Sequence, residues 1–202
     1  MENILLHKSA VPTFFYIAVA LISIVMYNKS NSKYNSKTQR IKSAKSFMYF
    51  YKYIQASTLA VCLLSIWIDH KYLFEIYKST DSTMYFGIGV SGIAITLFSI
   101  SRFSLGKNYS PCYDSYMPKN IKTSGIYSIV RHPIYTSNIL LMIGIFASTG
   151  SLIIAANTVV LFAYYLMSAI IEERAITRKF PKYKAYKQNT GMFFPHLLKR
   201  AS

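Results

Sequence analysis

Two short stretches of this chain carry ionisable side chains in a pattern that suits chemistry. The first is "RHPIY", residues 131–135, in which Arg131 and His132 run straight into Pro133. The second is "EER", residues 172–174, with Glu172 and Glu173 side by side. Proline suits the first position of a helix, and it biases the residue before it toward extended backbone. Arg131 and His132 are therefore expected just outside a helix N-terminus, where free N–H groups and the helix dipole favour an anion. The Arg131 guanidinium adds a planar fork matched to carboxylate or phosphate. The glutamates offer the opposite, a place for a positive group or for hydroxyl and amino donors. A ligand with both signs of charge fits such a pair of ends. Simpler readings exist for each residue: Arg131 as a membrane-surface anchor, His132 as a helix cap, the glutamates as a solvated helix end. Acids at a helix C-terminus are mildly unfavourable, so the last reading explains Glu172 and Glu173 poorly.

The elements that position these residues are apolar. Hydrophobic residues make up 52% of the chain and charged residues only 15%, more apolar and less charged than a typical soluble domain. The excess is clustered. Residues 11–27, 84–101 and 134–171 carry no charge, and residues 47–68 carry only Lys52. A spanning helix needs about 17–25 mostly apolar residues. The longest stretch holds two helices, with "STGS" (residues 148–151) as the turn between them. The sequence thus predicts an all-α integral membrane protein of about five transmembrane helices, the fourth and fifth forming a hairpin, with a cytoplasmic C-terminal segment. Residues 1–100 are expected to hold three helices. Residues 101–202 are expected to hold a loop, the hairpin and a basic tail.

The net charge of +16 does not point to nucleic acid, because the basic residues alternate loop by loop. Lys29, Lys33, Lys37, Arg40, Lys42 and Lys45 lie between the first two spans, Arg102, Lys107, Lys119, Lys122 and Arg131 between the third and fourth, and a third basic group follows the fifth. The loops between these groups are nearly uncharged or mixed. This is the positive-inside pattern, and it predicts an outer N-terminus and a cytoplasmic C-terminus. Residues 28–45, rich in Lys, Ser and Asn, read as a flexible loop. Cys62 and Cys112 fit neither a disulfide nor a metal spacing, so no metal is expected. Ala18-Val19-Ala20 mimics a signal cleavage site but lies within the apolar run, so the first span reads as a retained helix. Tyr183 and Tyr186 read as interfacial aromatics.

Helix geometry brings the two reactive stretches together. Residues 134–147 rise roughly 21 Å and residues 152–171 return roughly 30 Å at 1.5 Å per residue, and tilt absorbs the difference. Glu172 and Glu173 therefore come back to the membrane face that Arg131 and His132 left.

Three separated blocks then carry a resemblance: "LGKNYSP", "TSGIYSIVRHPIY" and "EERAITRKFPKYKAY…FFP". In order and spacing, over roughly residues 101–195, they resemble the isoprenylcysteine carboxyl methyltransferases and their phospholipid methyltransferase relatives. The resemblance implies an integral membrane enzyme that uses S-adenosylmethionine at the cytoplasmic face, of a bacterial plasma membrane or an endoplasmic reticulum. It implies that Tyr127, Arg131, His132, Pro133, Tyr135, Glu172 and Glu173 line the cofactor site, with Arg131 and Glu173 as the catalytic pair. Arg131 would orient an anionic acceptor or the cofactor carboxylate. A loop with Arg102, Gly106, Asn108 and Tyr109 would help cover the site. The acceptor would be a lipid or small molecule arriving from the bilayer, with the three helices of residues 1–100 on the acceptor side and residues 101–202 as the catalytic half.

This chain departs from the family in two places. Gly87 and Gly89 lie at the far end of their span from the glycine pair of the phospholipid relatives. Thr136-Ser137-Asn138 stands where many relatives have a glycine, which bears on helix packing or pocket shape. Two alternatives stay open. Sterol-type NADPH reductases share an Arg-His-Pro block, though there the proline is followed by asparagine, where this chain has Ile134. A non-catalytic membrane protein retaining the fold would tolerate loss of Glu172 or Arg131.

Overall fold

The computed structural model describes residues 40–43, 45–64, 75–110 and 114–196, with Phe14, Ile17 and Ala18 as isolated positions. The elements run β1 (Arg40–Ser43), α1 (Lys45–Leu64), α2 (Asp81–Leu105), β2 (Asp114–Tyr116), α3 (Pro133–Thr149), α4 (Leu152–Lys179) and α5 (Tyr183–Asn189). Short 3-10 turns at Gly106–Asn108 and Gly125–Ser128 join them. Among the described residues, α2 and α4 are long and apolar enough to cross a membrane; α3, at 17 residues, is apolar but shorter. Most of the first expected span lies outside the described residues.

Local chemistry sets the helix ends. Thr80 and Thr83 form a reciprocal capping box at the start of α2, with Thr83 N–H donating to Thr80 Oγ1 at 3.2 Å and Thr80 N–H to Thr83 Oγ1 at 2.8 Å. Pro133 opens α3 with His132 as its cap, as the sequence predicts. The "STGS" turn also falls where expected. Gly150 takes the left-handed conformation (φ 64°) and its N–H donates to Phe146 O at 2.8 Å, the usual role of a glycine after a helix. The segment before α2 caps the same end, since Tyr77 Oη donates to the carbonyls of Phe146 and Ala147 and Ser79 Oγ to that of Ser148 at 2.6 Å.

Small residues set how closely α2 and α3 pack. Gly87 and Ser91 on α2 face Gly144 and Ser148 on α3, each pair one helical turn apart. A Cβ on Gly144 would lie 2.8 Å from the Gly87 carbonyl oxygen, and one on Gly87 would overlap Gly144 O and Ser148 Oγ. Small residues at such spacing let membrane helices approach without a water-driven force. The serine hydroxyls fold back on carbonyls, Ser91 Oγ to Gly87 O at 2.8 Å and Ser148 Oγ to Gly144 O at 3.1 Å. Helix α1 packs on α4 through Ile54, Val61 and Cys62 against Ile154, Leu161, Tyr164 and Tyr165. Asn157 Nδ2 crosses that interface to Ser57 Oγ (2.9 Å) and Thr58 Oγ1 (3.1 Å). Outward-facing Tyr85, Phe86, Ile93 and Phe103 on α2 and Val159 on α4 are exposed, a surface suited to hydrocarbon.

Two expectations need correction. The chain is not wholly α: β1 and β2 pair antiparallel, Arg40 opposite Tyr116, Lys42 opposite Ser115 and Ser43 opposite Asp114. Residues 40–43 belong to the stretch read as a flexible loop, and their strand exists only because a distant partner supplies its hydrogen bonds. The last long helix does not stop near residue 171 either. It continues to Lys179, so Glu172 and Glu173 sit two turns inside α4 and not at its end.

Candidate active site

The site forms where the start of α3, the last two turns of α4 and the C-terminal segment meet. Residues after α5 run alongside the Arg131-His132 stretch. Arg131 N–H donates to Gly191 O at 2.8 Å, His132 N–H to Met192 O at 3.0 Å, and Thr136 Oγ1 to Phe193 O at 2.9 Å. Phe193 is buried against His132 and Phe162. These contacts strap the C-terminal segment over the helix start.

Glu173 is the hub beneath that strap. Its side chain is 1% exposed. Arg131 Nε donates to Glu173 Oε1 at 2.7 Å, His132 Nε2 lies 3.1 Å from the same oxygen, and Lys187 Nζ is 2.8 Å from Oε2. Arg131 Nη1 also donates to the carbonyls of Lys187 and Thr190. The sequence reading put Arg131 and the glutamates at opposite ends of a site. Arg131 and Glu173 instead pair with each other. A buried carboxylate needs close counter-charges, and these basic groups supply them.

Glu172 has the other environment. One residue along an α-helix turns the side chain by about 100°, and that turn takes Glu172 to the wall of a cleft of about 840 Å³, counted out to its solvent mouth. Its Oε1 accepts from Tyr135 Oη at 2.6 Å and Ser115 Oγ at 2.5 Å, and its Oε2 lies 4.0 Å from His132 Nδ1. The His132 ring stacks on Tyr135 at 5.2 Å between centroids, and Tyr135 stacks on Tyr165 at 4.7 Å. Asn138 Nδ2 holds the Tyr165 hydroxyl at 2.9 Å, Ser137 is buried and donates to Ile134 O, and Thr136 bonds the strap. Thr136, Ser137 and Asn138 thus each have a hydrogen bond of their own.

Tyrosines build much of the remaining wall. Tyr127, Tyr183 and Tyr186 line the cleft, as do Asn108 and Lys122. Tyr127 Oη donates to Ser101 O at 3.3 Å and Tyr186 Oη to the Tyr127 carbonyl. Burial pushes the Tyr127 and Tyr183 phenols far above their ordinary range and the Tyr186 phenol up to about 12, so all three keep their protons. Tyr183 is 4% exposed. Tyr183 and Tyr186, read from the sequence as interfacial aromatics, line the cleft, because α5 folds back onto it.

Of the residues that sequence reasoning singled out, Tyr127, Arg131, His132, Pro133, Tyr135 and Glu172 line the cleft, and Glu173 stands behind its wall. In the preceding loop, Asn108 lines the cleft and Gly106 (φ 51°) ends α2. Arg102 packs its guanidinium 3.9 Å above the Tyr109 ring. Ser115 and Lys187 were not legible. A serine in a loop and a lysine in a basic tail carry no local signal of a partner on α4. Among the described residues no three His, Cys, Asp or Glu side chains cluster as metal ligands would.

Residues 82–183, half the chain, match the model of the phospholipid methyltransferase family. The chain belongs to that family. Two curated relatives are similar over their shared region: the cobalt-zinc-cadmium resistance protein CzcN of Cupriavidus metallidurans, 35% identical across 55% of this chain and 53% of that protein, and the nickel-cobalt-cadmium resistance protein NccN of Alcaligenes xylosoxydans xylosoxydans, 29% identical across 54% and 53%. The chain spans about half the length of these relatives. Among solved structures, the eukaryotic intramembrane Ras methyltransferase, isoprenylcysteine carboxyl methyltransferase, is similar with a TM-score of 0.54. The likeness covers 73% of this chain and 52% of that one at 21% identity. At that identity the likeness is one of fold. This member of the phospholipid methyltransferase family thus shares the helical architecture of an intramembrane enzyme.

Proposed function

We propose that the chain is an integral membrane methyltransferase that uses S-adenosylmethionine. It transfers a methyl group at the cytoplasmic membrane face onto a lipidic or membrane-delivered acceptor. The observation that carries this reading is the division of labour between the two glutamates, in a chain of this family. Glu173 is spent inside the protein on Arg131, His132 and Lys187, whereas Glu172 faces a tyrosine-walled cleft with one carboxylate oxygen turned toward His132.

The cleft suits the cofactor. Its charged lining residues are Glu172, Arg131 and Lys122, with His132 beside them, and the amino-acid end of S-adenosylmethionine bears both an ammonium and a carboxylate. Glu172 would receive positive charge, and the tyrosine faces favour a cation and a flat base. Arg131 and Lys122 would take the negative end. When bound, the cofactor supplies a methyl group already activated on its sulfonium. The protein's share is then alignment and exclusion of water. Glu173 contributes by fixing Arg131 and His132, and the strap of residues 190–193 holds both backbones. An amine or thiol acceptor would need to lose a proton, which His132 or a glutamate would accept.

Calorimetry on the detergent-purified full chain tests the reading, with S-adenosylmethionine, S-adenosylhomocysteine and NADPH titrated separately. Binding of the first two, weakened by Glu172→Gln, is the expected result. Binding of NADPH alone would replace this reading with that of a membrane reductase. A binding-competent chain is then supplied with lipid extracts and labelled methyl donor to find the acceptor.

A further inference from the structure

We propose that the β1–β2 sheet is part of the ligand site and that Ser115 is a positioning residue, fixing the Glu172 carboxylate to receive the ligand's positive charge. The inference rests on the methyl-donor reading above and names a residue that neither the family blocks nor the charge pattern indicate. Ser115 is 3% exposed, and its hydroxyl lies 2.5 Å from Glu172 Oε1. Tyr135 Oη reaches the same oxygen at 2.6 Å. Two hydroxyls on one oxygen fix the plane of the carboxylate and turn Oε2 toward His132 in the cleft. A glutamate side chain is otherwise rich in rotamers, and holding it in one of them before binding removes an ordering cost from the binding step.

Ser115 reaches Glu172 only because β2 is held in place. A strand of three residues does not order itself. Its support is β1, which sets Lys42 opposite Ser115 and Ser43 opposite Asp114. A second tether is the Tyr116 N–H, which donates to Ser110 Oγ at 3.3 Å. Ile41 of β1 lines the cleft itself, beside Tyr116 and Pro118 that follow Ser115. The segment before α1, chemically a basic linker, therefore closes one side of the site and sets the Glu172 geometry from a distance in sequence.

The test is a cycle of full-chain variants: wild type, Ser115→Ala, Ser115→Thr, Glu172→Gln and the Ser115→Ala/Glu172→Gln double variant. Each is titrated with S-adenosylhomocysteine and melted without ligand. Ser115→Ala is expected to weaken binding by up to about tenfold, the cost of ordering one rotamer-rich side chain on binding, with at most a small fall in Tm. Ser115→Thr, which keeps the hydroxyl, is expected to restore most of the affinity. In the Glu172→Gln background the serine change is expected to add nothing, because Ser115 acts through Glu172. Wild-type affinity in Ser115→Ala, or losses that multiply in the double variant, would overturn the role of Ser115 and leave the methyl-donor reading standing. So would a loss that tracks a fall in Tm and is not restored by threonine. If wild type binds NADPH and not S-adenosylhomocysteine, the methyl-donor reading falls, and the same cycle run with NADPH decides Ser115. Non-multiplying losses there support it and multiplying losses overturn it. Wild type that binds neither compound overturns both.

Discussion

Glu172 and Glu173 are neighbours of the same type, yet the structure gives them opposite jobs, and replacing each by glutamine separates those jobs. Glu173 is 1% exposed and neutralises Arg131, itself 8% exposed, at 2.7 Å. His132 shares Oε1, and Lys187, which is 37% exposed, approaches Oε2. Glutamine keeps the volume but removes the charge, leaving a guanidinium largely buried without its counter-ion. Breaking a buried pair in this way costs about 3–5 kcal/mol. The Lys187 contact adds little to that figure, since an exposed pair is worth about 0–1 kcal/mol. Glu172 sits at the cleft wall with 13% of its side chain exposed. Tyr135 and Ser115 can still donate to an amide oxygen, so Glu172→Gln should cost less than about 1 kcal/mol, within the range of neutral hydrogen bonds. Chemical denaturation in detergent micelles, followed by circular dichroism, reads both losses. Glu173→Gln should unfold at markedly lower denaturant than wild type and Glu172→Gln close to it, whereas ligand affinity should fall in Glu172→Gln even where the protein is fully folded. Equal stability of the two variants would refute the assignment of Glu173 as the structural hub.

Other outcomes follow from particular contacts. Gly144→Ala should lower stability by about 1–3 kcal/mol through overpacking, because its Cβ would lie 2.8 Å from the Gly87 carbonyl oxygen. Gly89→Ala, with nothing within 4 Å, should be neutral or slightly stabilising, and thermal melting compares the two. Arg131→Lys cannot reproduce a fork that serves Glu173 and the carbonyls of Lys187 and Thr190 together. Trypsin should then cut after Lys187 faster than in wild type, read by mass spectrometry. Gly150→Ala forces a side chain into the left-handed region and against the Tyr77 carbonyl. A loss of more than about 1 kcal/mol is expected, measured by the same melts.

Much of the frame was legible before any coordinates. Uncharged runs predicted the helices, Pro133 and the "STGS" turn predicted the start and the reversal of the α3–α4 hairpin, and the hairpin predicted that Arg131 and His132 would meet Glu172 and Glu173. These features depend on local chemistry or on helix rise alone, and both can be read along a chain. The small-residue contact between Gly87 and Gly144 is not legible along the chain. Glycine in an apolar run says nothing of which helix faces it.

What only the tertiary structure decided is which way each side chain points and what reaches it. The step of about 100° between adjacent residues of a helix sends Glu173 into the protein and Glu172 to the cleft, but the rotation of α4 about its own axis is set by its contacts with α1 and α3. Tyr183 and Tyr186 become cleft wall because α5 folds back, an outcome fixed by the Arg131 fork and the strap after Thr190. The strand at residues 40–43 exists because β2 offers it hydrogen bonds. The sequence by itself determined the membrane-type helices and the meeting of two acids with two bases. Long-range contacts decided which acid is buried and which is offered to a ligand, because a backbone direction can be read locally and a side chain's partner cannot.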